Sequence, residues 1–77
     1  MTIGLISAPP RYSGPAIRAM RTQAGVTQVR WAAILGISPT LASAWETERR
    51  TPDGPGMRLL QVVEKHGLDF VADMPVA

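Results

Sequence analysis

The chain has no cysteine and a single histidine, and these two shortages remove most of the chemistry open to a small protein. Without cysteine there is no disulfide and no thiolate metal site, and His66 alone has no second ligand with which to hold zinc. His66 falls at the expected end of a helix, where the dipole favours an imidazolium, so an end-of-helix role is expected of it rather than catalysis. Ser13, Ser38 and Ser43 have no base at a recognisable motif spacing, and the glycines form no phosphate loop. The expectation is therefore a protein without catalysis, metal or cofactor. Long apolar runs are also missing: none approaches the roughly 18 residues that span a bilayer. The first ten residues lack the basic start of a signal peptide, so the expected place is the cytoplasm, with no membrane partner.

What is present supports one small domain. At 77 residues and 45% hydrophobic the chain can bury only a thin core, and a second copy would help to stabilise it. The net charge of +2 conceals an asymmetry. The basic residues Arg11, Arg18, Arg21, Arg30, Arg49 and Arg50 precede residue 53, opposed there only by Glu46 and Glu48, while residues 53–77 carry a net negative charge. Arginine supplies nearly all the positive charge, which suits forked contact to phosphate. On charge alone, a solvated basic face is as good a reading as a nucleic-acid surface.

The stretch TQVRWAAILGISPTLASAWETERR, residues 27–50, organises the rest. Thr27 is an N-cap candidate for one helix, and Gly36 supplies the turn that ends it. Ser38-Pro39 restarts helix, a capping hydroxyl followed by the residue favoured at the first helical position. The spacing predicts helices over residues 27–35 and 38–47, joined by a tight glycine corner: a helix-turn-helix. Trp31, Ala32 and Leu35 on the first, Ala42 and Trp45 on the second, and Ile37 at the corner take the inward positions. Both tryptophans are thus expected in the core rather than as stacking platforms for single-stranded bases.

Gln28, Ala32, Gly36, Ile37, Ser38, Trp45, Glu46 and then Arg50-Thr51-Pro52, in that order, resemble the Cro/repressor-type helix-turn-helix family, also called the xenobiotic-response-element family. The resemblance runs over residues 17–66. It implies binding to double-stranded DNA, with the second helix of the motif in the major groove. It places Pro39, Thr40, Leu41, Ser43 and Ala44 outward at the bases, a set poor in long polar side chains. Phosphate contact is expected of Thr27, Gln28, Arg30, Arg49 and Arg50. The resemblance also implies an internal salt bridge between Arg21 and Glu46. The family's glycine two residues after that glutamate is replaced here by Glu48, which adds negative charge near DNA.

Around the motif, Ser13-Gly14-Pro15 signals another helix start, and Ile17, Met20 and Ala24 share a face up to the Gly25 stop. Pro52, Gly54, Pro55 and Gly56 predict a loop through residue 56, followed by a helix burying Met57, Leu59, Leu60 and Val63 as far as Gly67. Leu68, Phe70 and Val71 allow one more turn, which Pro75 would end. Residues 1–12 form an N-terminal arm, either a short strand at residues 2–6 or a loose segment. The expected architecture is all-α, a compact bundle of four to five helices over residues 13–77 preceded by that arm. The expected partners are an inverted-repeat operator and a second copy in a homodimer. The closing LLQVVEKHGLDF is also similar to antitoxins of bacterial toxin–antitoxin pairs, so a toxin protein is a further possible partner. On that alternative the domain is a protein-interaction module whose DNA binding is secondary.

Overall fold

A computed structural model describes residues 12–73 of the chain; the expected strand at residues 2–6 and the Pro75 stop lie outside them. The described residues form α1 (Gly14–Gln23), α2 (Gln28–Leu35), α3 (Pro39–Glu46), α4 (Gly54–His66) and α5 (Leu68–Ala72), with no strand among them. The all-α architecture expected from capping and periodicity is therefore the observed one.

Side-chain caps start the first four helices. The oxygens of Ser13, Thr27, Ser38 and Asp53 accept from the backbone N–H three residues on, at Ala16, Arg30, Leu41 and Gly56. The fourth cap corrects the expected loop. Helix begins at Gly54, not after Gly56, because Pro55 sits in the first turn, where its missing N–H has no helical partner to lose, and Asp53 Oδ1 takes the Gly56 N–H at 2.8 Å. Replacing Asp53 with alanine should cost about 0.5–2 kcal/mol in chemical denaturation. An unchanged midpoint would mean that the cap contributes no stability.

Gly36 closes α2 with φ 75°, the left-handed conformation in which glycine has no Cβ penalty. The Ile37 N–H then reaches the Ala32 carbonyl at 3.0 Å and the Gly36 N–H reaches Ala33 at 3.3 Å, a pairing that satisfies the last carbonyls and turns the chain sharply. That corner sets α3 across α2 over two fully buried small residues, Ala32 and Ala42.

Ile17, Trp31, Ala32, Leu35, Ala42, Trp45, Leu60, Val63 and Leu68 make one core contributed by all five helices. Both tryptophans lie inside it, as helical spacing indicates. Met20 and Leu59 pack against its edge, whereas Ala24 is exposed as the C-cap of α1. Tyr12, the first described residue, lies against the same core, and its hydroxyl donates to Glu64 Oε1 at 2.7 Å. Partial burial and then that carboxylate neighbour push the Tyr12 phenol up to about 12.

Candidate nucleic-acid interface

The exposed residues of α3 begin where its cap ends. Pro39, Thr40, Ser43 and Ala44 line one concave face together with Arg49 and Arg50. The turn after α3 brings those arginines back. Glu48 adopts φ 64°, and the N–H groups of Arg49 and Arg50 both donate to the Ala44 carbonyl, at 2.9 and 3.2 Å. Two arginines thus share one face with small side chains. Such a surface offers charge for phosphate and short hydroxyl and methyl groups for base edges.

Leu41, expected outward at the bases, does not line that face. It stands four residues before Trp45 on the same helical side, packs against the core, and lines a separate groove of about 290 Å³ with Ile37, Trp45 and Leu59. The apolar side chain gains more from that groove than it would from water.

The residues expected at phosphate divide into two places. Arg49 and Arg50 are on the concave face; Thr27, Gln28 and Arg30 are at the start of α2 and do not line it. Thr27 Oγ1 accepts the Arg30 N–H at 3.2 Å, and the Arg30 side chain is exposed. Gln28 has a different engagement from the expected one. One of its amide hydrogens goes inward to Glu46 Oε1 at 3.3 Å, leaving the second hydrogen as its only side-chain donor for a phosphate.

Glu46 is the centre of a charged network beneath the motif. Its side chain is wholly buried, and Arg21 grips it as a fork, Nε to Oε2 at 2.7 Å and Nη2 to Oε1 at 3.1 Å. Arg21 Nη1 also donates to the Val26 carbonyl at 3.1 Å, which ties the α1–α2 connection to α3. Arg18 Nε adds a donor to Oε1 at 3.3 Å. Burial alone pushes the Glu46 carboxyl up, but the hydrogen bonds from Arg21, Arg18 and Gln28 and the Arg21 charge outweigh it and hold the carboxyl below the usual range. The Arg21 guanidinium is raised, chiefly by the hydrogen bonds to Glu46.

Sequence reasoning does not assign two members of this arrangement their roles. Arg18 lies three residues before Arg21, hence on the same side of α1 facing α3, and that spacing is a readable signal. Glu48 Oε2 accepts the Gly14 N–H at 2.9 Å, a hydrogen bond spanning 34 residues that local sequence does not announce.

A scan of protein families matches residues 17–55 to the helix-turn-helix family of the Cro/C1 type. The chain belongs to that family. The helix-turn-helix is α2, the Gly36 corner and α3, and membership makes the protein a DNA-binding transcription regulator acting on the double helix. A search of curated proteins found no match to the chain. Among the described residues no helix is long and apolar enough to cross a membrane.

Proposed function

We propose that the protein is a small repressor that binds an inverted-repeat operator as a homodimer, with α3 in the major groove and half-sites about 34 Å apart. It needs neither catalysis nor cofactor for that role. The observation that carries the reading is the concave face itself, which Pro39, Thr40, Ser43 and Ala44 line together with Arg49 and Arg50. Arg30, Arg49, Arg50 and Gln28 hold phosphates, with Thr27 and the N–H groups at the start of α2 beside them. Pro39, Thr40 and Ala44 read thymine methyl groups by contact, and the Thr40 and Ser43 hydroxyls add hydrogen bonds. Discrimination per half-site is modest on this reading, and dimer spacing and DNA shape supply the rest.

A randomised operator library tests this at two salt concentrations. Arg50→Ala should weaken binding to all sequences and lower the salt slope by about one unit, whereas Thr40→Ala should change the preferred bases. A base preference altered by Arg50→Ala and untouched by Thr40→Ala would overturn the placement of α3. Sedimentation of a monomer both free and on the operator would overturn the dimer.

A second reading, an autorepressing antitoxin that also holds a toxin protein, draws on Val29 and Phe70, the large apolar side chains exposed among the described residues at 64% and 48%. Pull-down of the product of a co-encoded gene, abolished by Val29→Asp or Phe70→Asp with DNA binding intact, is the result it requires.

A further inference from the structure

We propose that Glu48 is a positioning residue for DNA binding: anchored on the Gly14 amide at the start of α1, it holds the turn that presents Arg49 and Arg50 to the duplex. The inference rests on the reading above that these two arginines meet phosphate.

Glu48 occupies the position just past the α3 C-cap that is left-handed in this kind of turn, at φ 64°, where glycine is the usual residue. The geometry of the turn depends on it. The Glu48 N–H reaches the Trp45 carbonyl at 3.3 Å, the Arg49 and Arg50 N–H groups converge on Ala44, and Ala44 itself lines the DNA face. Glycine would make the same turn without strain but would leave it untethered. Glu48 instead commits its carboxylate to the Gly14 N–H, one of the donors with no partner inside α1, at the positive end of that helix. The tether has two consequences. It fixes the two residues that follow, and it draws a negative charge adjacent in sequence to Arg49 toward α1, so that Glu48 does not line the concave face.

The charge and the tether make opposite predictions, which separates them. Glu48→Gln removes the charge and keeps an oxygen to accept from Gly14; Glu48→Gly removes both while retaining the turn. The experiment measures binding of each, and of Arg49→Ala and Arg50→Ala, to a short random-sequence duplex at about 50 and about 200 mM salt, well below every melting temperature. Glu48→Gln should bind at least as tightly as the parent. Glu48→Gly, with the same net charge, should bind more weakly than Glu48→Gln, by a gap that narrows about threefold between the two salts, as removal of one arginine–phosphate pairing requires. A shift in melting temperature alone, with equal affinity and salt slope for the glycine and glutamine variants, would overturn the positioning role while the arginines still weaken binding when removed. Arg49→Ala and Arg50→Ala both binding like the parent would overturn the phosphate reading, and this inference with it.

Discussion

Replacing Arg21 with alanine is expected to destabilise the protein by about 3–5 kcal/mol at neutral pH, and acid should remove most of that difference. The Glu46 side chain is fully buried, and Arg21 supplies its shortest hydrogen bonds, so the variant keeps a carboxylate out of water with only Arg18 and Gln28, each at 3.3 Å. Glu46→Ala should cost less. It leaves Arg18, whose side chain is 57% exposed, and Arg21, at 17%, able to recover water more easily than the buried acid could. The pH dependence follows from the direction of the Glu46 shift. In the parent its folded pKa is below the unfolded value, so the contribution is complete above the ordinary carboxylate range and is lost as pH falls through the depressed value. Without Arg21 the burial that raises the Glu46 pKa remains while two of the contributions that lower it are gone, so the folded pKa is higher than the parent's. The difference between the two proteins is full at neutral pH and shrinks as acid protonates the carboxyl in both. Denaturation midpoints of the parent, both single variants and the double variant from neutral to acid pH measure this. A double variant whose loss equals the sum of the two single losses at every pH would show that the network is not coupled.

Gly14→Ala is the second large effect, expected to cost about 1–3 kcal/mol at a helix position where alanine ordinarily helps. A Cβ there would run into the Glu46 carbonyl oxygen and come within 2.8 Å of Glu48 Cγ. The obstruction is backbone at the end of α3, so relief requires α1 and α3 to separate. That movement would strain the Arg21 fork and the Glu48 tether together. Gly54 provides the control. It too begins a helix, but nothing lies within 4 Å of an added Cβ, so Gly54→Ala should be neutral or stabilising by about 0.4–1 kcal/mol. Equal midpoints for the two variants would mean that the close approach at Gly14 carries no energy.

Much of this protein is legible in its sequence because the relevant physics is local. Ser13, Thr27 and Ser38 announce their helices by capping chemistry, Gly36 announces the corner by its φ, and 3.6-residue spacing separates Trp31 and Trp45 from the surface. The Arg21–Glu46 pairing comes from family resemblance, since sequence spacing permits such a pair without requiring it. The start of α4 is harder to read, because Gly-Pro-Gly resembles a loop until Asp53 is seen to cap it. The family pattern points Leu41 outward, and only tertiary packing decides that it lies partly buried against the core, lining a groove with Ile37 and Leu59 rather than the face of Thr40 and Ser43. Gln28 and Glu48 show the same division. Residue type allows either to face solvent, but the convergence of α2 with α3 placed a buried carboxylate within reach of Gln28, and that of α1 with the end of α3 placed an unpaired amide within reach of Glu48. Caps, turns and amphipathic faces depend on neighbours a few residues away, so sequence alone determined them. Which polar groups meet across 18 or 34 residues depends on how the helices pack, so tertiary structure decided it.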